Sequence, residues 1–324
     1  MANISRGVFS AVTTKMTRNG QVDLDATQRS IDRQINQGVS GVIVLPMLGE
    51  NASLTPSERE QIIRAAVAAV AGRVPLLCGL AEVTLDAAKA NVRAYERFGA
   101  QGLMVFPSLG YKTDARETAA WYRAIAATSS LPIIIFNNPI AFGVDVSPAV
   151  LSELVDTPTI VCVKEESGDT RRITDIKIAF GERFGIICGA DDLIVETVAL
   201  GATGWISGIV NAWPAECVEL FNLCVQGNFT EARALYGILT PSFHLDRHNK
   251  LVQYIKLAEH LVYGAPEWTR APRLPLVGEE REVVIRTVTA AIEALKRRAS
   301  TRAPTGAHSR LVTSEVSTGQ AAGR

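Results

Sequence analysis

Short apolar runs recur along the chain at residues 7–13, 41–45, 74–78, 102–106, 132–136, 160–163, 184–188 and 204–209, each closed by Gly, Pro, Asn or an acidic residue. Between them, segments 25–37, 56–71, 84–98, 114–128, 148–154, 169–180 and 192–200 carry apolar positions at helical spacing. Thr55-Pro-Ser-Glu58 is a capping box with proline at the first helical position, and Ser147-Pro148 repeats the start signal. Strand and helix in strict alternation imply parallel strands, and eight such units predict a closed (β/α)8 TIM barrel. A doubly wound open sheet is the alternative. Against it, no G-x-G-x-x-G turn follows the first run and no Walker sequence occurs.

After about Trp213 the strand signal vanishes, and residues 214–226, 230–239, 245–263 and 279–297 read as helices. The expected organisation is a barrel over 1–227 and a C-terminal helical extension over 228–298, serving packing or oligomer contacts. A tail over 299–324, rich in Ser, Thr, Gly and Ala without periodicity, is expected to be disordered.

Charge adds little to this picture. The 33 basic and 33 acidic residues cancel, which gives no reason to expect nucleic acid or an anionic membrane as a partner. No apolar run approaches the roughly 20 residues of a membrane span, and no apolar signal region precedes the first strand, so a cytoplasmic protein is expected. Cys78, Cys162, Cys188, Cys217 and Cys224 fall in apolar or helical patterns and read as buried free thiols. His244 and His248 share a helical face without an evident third ligand, so no metal site is expected.

Lys164 changes the picture. It follows the unbroken apolar run 160–163, of the kind covered on both faces, and precedes Glu165, Glu166, Ser167, Gly168 and Asp169. An ammonium at the end of a buried strand loses hydration, which favours the neutral amine unless a carboxylate pairs with it. A neutral lysine amine attacks carbonyl carbon and forms a Schiff base. The competing reading is a structural ion pair with Glu165, Glu166 or Asp191.

Barrel chemistry sits at the C-terminal ends of the strands. Those ends carry Thr13, Thr14, Met47, Leu48, Gly49, Glu50, Glu82, Tyr111, Asn137, Asn138, Lys164, Asp191 and Ser207, but no histidine or cysteine. One lysine, a few carboxylates and several glycines suit carbonyl chemistry on a small keto acid better than metal hydrolysis or a catalytic triad.

The chain resembles the class I pyruvate aldolase family that includes dihydrodipicolinate synthase and N-acetylneuraminate lyase. The matching residues are Gly49-Glu50, Asn137 with Pro139, Lys164 in Val-Lys-Glu-Glu-Ser-Gly, and Gly189-Ala-Asp-Asp192, in order and at family-like spacing. The resemblance implies that Lys164 forms the Schiff base and that no other cofactor is needed. It also implies that Gly49 and the amides around Met47 and Leu48 bind the substrate carboxylate and that Ile206 lines the site. Glu50, Asn138 and Gly189 complete the expected substrate-binding set, and a homo-oligomer, a dimer of dimers, is the implied assembly.

Departures from the family are concentrated at its hydroxyl relay. Phe136 stands where the family has a proton-shuttling tyrosine, Met47-Leu48 where it has a hydroxyl pair, and Leu109 where the synthase has a second tyrosine. Ala141 replaces the arginine that clamps the synthase substrate's distal carboxylate. Loss of a proton shuttle costs roughly 10²- to 10⁴-fold in rate, so Tyr111, Glu50 or a substrate group would have to serve. Gly49–Thr55, His244-Leu-Asp246 and Lys250–Lys256 are among the stretches similar to 1-pyrroline-4-hydroxy-2-carboxylate deaminases, which act in hydroxyproline catabolism. Alternatives are a 2-keto-3-deoxy sugar acid aldolase or dehydratase, a dihydrodipicolinate synthase-like enzyme, and a catalytically silent keto-acid-binding barrel.

Overall fold

A computed structural model describes residues 4–302. Eight strands, β1 (Gly7–Ala11), β2 (Gly41–Val44), β3 (Leu76–Leu80), β4 (Gly102–Val105), β5 (Ile133–Asn137), β6 (Ile160–Glu165), β7 (Gly185–Cys188) and β8 (Gly204–Ser207), close into a barrel in sequence order. Every pairing is parallel, including β1 with β8, as the alternating pattern predicts. The strands are short and almost wholly buried, because the barrel interior covers one face and the helices the other.

The return helices are α1 (Leu24–Asn36), α2 (Pro56–Val70), α3 (Leu85–Phe98), α4 (Ala115–Ala126), α5 (Pro139–Phe142), α6 (Pro148–Ser152), α7 (Arg171–Phe180) and α8 (Ile194–Ala199). Side-chain caps start α1 to α4: Asp23, Thr55, Thr84 and Asp114 each accept from an amide of the first turn. At Thr55 and Asp114 the reciprocal glutamate completes a capping box. The single turn α5 is too short to show a period in the sequence. Asn138 caps it through Ala141 N, Pro139 opens it, and Gly143 ends it in the left-handed region. It carries Ile140, Ala141 and Phe142 over the barrel mouth.

Four further helices follow: α9 (Pro214–Val225), α10 (Phe229–Phe243), α11 (Leu251–Tyr263) and α12 (Gly278–Arg302). The predicted helix over 245–263 is in fact broken. A 3-10 turn, His244–Arg247, leads into extended backbone at His248, and α11 begins only at Leu251, since the polar stretch 246–250 has no apolar face to bury. Helix α12 runs past its predicted end at 297 to Arg302, and the rest of the expected tail lies outside the described residues. The five cysteines are free and buried, as expected. No helix among the described residues is long and apolar enough to cross a membrane.

Helix α11 is unusual in being buried on every side over residues 252–259. Two of its charges meet partners from the barrel in the absence of solvent. Lys256 pairs with Glu50, and Glu259 pairs with Lys15, all four at 0% exposure. Arg33, Ser30 and Thr13 complete the Glu259 shell. Burial pulls the Lys15 ammonium below its ordinary range. Burial would raise the Glu259 carboxyl too, but Lys15, Ser30 and Arg33 outweigh it and hold the group ionised.

Candidate active site

Lys164 lies in β6 opposite Phe136 of β5 and Ile187 of β7, with 7% of its surface exposed. Its Nζ is 2.7 Å from Glu166 Oε2, so the ion-pair partner left open in the sequence is Glu166. The approach is close but not aligned as a hydrogen bond, and Oε2 has no other protein partner. Nζ also sits 3.9 Å from the centroid of the Phe136 ring, a cation–π contact. Phe106 and Phe142 meet that ring edge-on at centroid distances of 5.0 and 5.3 Å and fix its plane.

The other carboxylates are disposed differently. Glu165 accepts from Asn137 Nδ2 and Ser167 N, and burial raises its pKa. Asp191 accepts from Trp205 Nε1 at 2.8 Å and Ile209 N at 3.3 Å, and burial pushes its carboxyl up to about 7. Asp246, from the 3-10 turn after α10, faces the same cavity, and burial next to Asp191 and Glu166 raises its carboxyl well above the ordinary range. Among the described residues it accepts no hydrogen bond.

These groups enclose a cavity of about 370 Å³ with Lys164, Glu166, Asp191 and Asp246 on its polar walls. Met47, Leu48, Phe136, Ile140, Ala141 and Phe142 supply apolar walls. Arg247 and His248 stand at the rim, Arg247 tied to Asp192 at 3.2 Å and His248 stacked on Tyr254. The volume fits a small ligand and falls near the low end for pockets of this kind.

The loop after β2 is held in a strained form, with Leu45 and Glu50 in the left-handed region at φ 59° and 57°. Gly49 N and Glu50 N close turns onto Pro46 O and Met47 O. The amides of Met47 and Leu48 have no acceptor among the described residues. Successive unpaired amides in a turn form an anion cradle. Two free amides therefore remain at Met47 and Leu48, whereas the Gly49 amide is already engaged.

Other sequence expectations need correction. Glu50 cannot touch a substrate, because Lys256 and the Arg270 amide hold it in the interior. Ile206 is fully buried and is not part of the cavity wall. Asn138 does line the cavity, and it also holds Glu166: Nδ2 donates to Glu166 Oε1 at 2.8 Å while Oδ1 caps α5. Gly189 contributes space, since a Cβ there would lie 2.7 Å from Glu166 Cβ and 2.9 Å from Lys164 Cε. Tyr111 is 61% exposed and outside the cavity wall.

Asp246 enters the sequence reading only through the resemblance at His244-Leu-Asp246, not as a site residue, because the extension is expected to serve packing or oligomer contacts. Polar residues interrupting a helical period between 246 and 250 were the available signal. Gly208 gives Asp246 its room, since a Cβ there would lie 3.0 Å from Asp246 Oδ1 and 2.4 Å from Leu48 Cδ1.

The model of the dihydrodipicolinate synthetase family matches residues 4–291. A 4-hydroxy-tetrahydrodipicolinate synthase of Salinibacter ruber is 34% identical over 238 residues, 73% of this chain and 79% of its own. That of Methanothrix thermoacetophila is 28% identical over 284 residues, covering 87% of this chain and 95% of its own. The solved 4-hydroxy-tetrahydrodipicolinate synthase of Methylacidiphilum fumariolicum superposes with a TM-score of 0.86 at 25% identity, covering 91% of this chain and 98% of that one. A barrel with this strand order, a lysine on β6 and a match over nearly every described residue have one reading: the chain belongs to the dihydrodipicolinate synthetase family and is a class I lyase.

Proposed function

We propose that Lys164 forms a Schiff base with a small 2-keto or 2-imino acid, and that the substrate is 1-pyrroline-4-hydroxy-2-carboxylate. The observation that carries this reading is the cavity itself: Lys164 and two free amides lie in one small chamber with an apolar wall at Ala141. The amides would take the single carboxylate, and the apolar wall leaves no clamp for a second. Addition of the amine to the ring C=N and expulsion of the ring nitrogen give an open-chain ketimine. Loss of the 4-hydroxyl through an enamine, then hydrolysis, gives 2-oxoglutarate semialdehyde and ammonia, with one water consumed overall. The carboxylate of Glu166 suits a substrate whose ring nitrogen departs as a cationic amine.

A 2-keto-3-deoxy sugar acid is the second reading, supported by Asp246, whose free carboxyl could bind substrate hydroxyls. No cofactor is required, because the iminium on Lys164 is itself the electron sink. In keeping with its resemblance to the family, we place the enzyme in the cytoplasm as a dimer of dimers; sedimentation of the purified protein at a quarter of that mass would exclude this assembly.

The experiment is borohydride reduction with pyruvate, the cyclic imine or a 2-keto-3-deoxy acid, followed by intact mass and peptide mapping. A reduced adduct on Lys164 that disappears in Lys164→Ala is the expected result. Folded protein that traps none of the three would instead be a silent barrel.

A further inference from the structure

We propose that Glu166 moves the protons at Lys164, in place of the hydroxyl relay that Phe136, Met47 and Leu109 have displaced. This rests on the Schiff-base reading of Lys164. Three observations lead to it. Glu166 Oε2 lies 2.7 Å from Nζ and has no aligned hydrogen bond of its own, so the oxygen is free to exchange a proton. Its other oxygen is held at 2.8 Å by Asn138, whose own side-chain oxygen is fixed by the first turn of α5. Asn138 is thus a positioning residue, and the carboxylate is anchored at one oxygen and available at the other.

The groups that could compete are placed elsewhere. Glu50 is sealed against Lys256, and Tyr111 is exposed outside the cavity. Asp191 has its oxygens engaged by the Trp205 indole and the Ile209 amide. Asp246 approaches from the turn after α10, beside Gly208, and faces the cavity, while the ion pair of Nζ is with Glu166. The Phe136 ring occupies the side of Nζ where the family tyrosine would stand, and it has no proton to give.

Glu166 takes one proton from the Lys164 ammonium, freeing the lone pair. The N–C bond forms as the π pair of the substrate C=O or C=N moves to oxygen or nitrogen, which receives that proton. Glu166 takes a second proton from the new C–N nitrogen and delivers it to the leaving water or amine, giving the iminium. Glu166 then removes a proton from the carbon next to the iminium, the C–H pair becoming the C=C bond of the enamine while the C=N pair returns to nitrogen. Each atom that gains or loses one of these protons is Nζ itself or lies within two bonds of it, which is why one adjacent carboxylate can reach them all.

The test follows two readouts with pyruvate as the probe: the rate and final extent of borohydride-trapped adduct on Lys164, and exchange of the methyl protons in D2O by NMR. Glu166→Gln keeps the shape and the Asn138 contact but cannot take a proton. Its exchange rate is expected to fall 10²- to 10³-fold, with slower trapping at an unchanged thermal midpoint. Glu166→Asp retains a base and is expected to exchange at least tenfold faster than Glu166→Gln. Exchange in Glu166→Gln within about threefold of the unmodified protein, or faster than in Glu166→Asp, overturns the proposal. So does loss of exchange in Asp246→Asn while Glu166→Gln is unaffected. If the unmodified protein neither traps nor exchanges pyruvate, and also traps neither the cyclic imine nor a 2-keto-3-deoxy acid, the Schiff-base reading itself fails; trapping without a Glu166 effect removes only this step.

Discussion

Glu50 and Lys256, separated by 206 positions in sequence, form an ion pair from which solvent is wholly excluded. Removing one member strands the other charge in the interior, where only Arg270 N and Arg273 remain near Glu50. Lys256→Met is expected to lose about 3 kcal/mol of stability. The double variant Glu50→Gln/Lys256→Met should recover at least about 1 kcal/mol of that. Urea denaturation of the unmodified protein, Lys256→Met, Glu50→Gln and the double variant measures both numbers; additive losses would show that the two groups act independently.

Phe136→Tyr restores the hydroxyl that the family carries. If Glu166 has taken over proton transfer, the restored hydroxyl has little left to do, and turnover should change less than tenfold. A gain above about 10²-fold, the size of a typical general acid–base contribution, would mark the native site as impaired.

Gly189 has a more stringent role than its lack of a side chain suggests. Gly189→Ala would drive a methyl into Lys164 Cε and Glu166 Cβ, with the Glu165 carbonyl 3.0 Å behind it. Displacement of reacting groups by about 1 Å can cost about 10² in rate. The rate of trapping on Lys164 should fall by about that factor, while circular dichroism still reports the barrel.

Asp191 and Asp246 set a pH dependence of opposite sign to that of most carboxylates. Burial raises both, Asp191 to about 7, against about 3.9 in the unfolded chain. The folded state therefore binds more protons than the unfolded state across that window, and stability from these groups falls as pH rises through it. Glu58 acts in the ordinary direction: Arg270 holds it at about 2, so its contribution is lost only as pH falls below about 4. Between pH 5 and 7 the protein should lose urea resistance, and Asp191→Asn should reduce that loss. An unchanged difference in the variant would mean that Asp191 does not hold the proton.

The barrel was legible because its signals are local. Eight short apolar runs at regular intervals and helices opened by Thr55-Pro56 or Asp114 need no distant partner to be recognised. Lys164 was legible for the same reason, since an unbroken apolar run delivers it directly to the mouth. The chamber around it was not. Asp246 reaches Gly208 only through a break between α10 and α11 that helical periodicity conceals. The fate of Glu50 depends on a lysine in α11, 206 positions away, that no local pattern pairs with it.

The pairs made by α11 also bear on which pieces of this chain can exist alone. A chain ending at 227 would keep all eight strands and yet leave Glu50 and Lys15 facing the vacated places of Lys256 and Glu259. Each abandoned charge costs several kcal/mol in a domain whose whole margin is about 5–15. Barrel and extension are thereby bound to one melting transition, so a gene fragment encoding the strands alone is expected to yield proteolytic debris instead of a smaller enzyme.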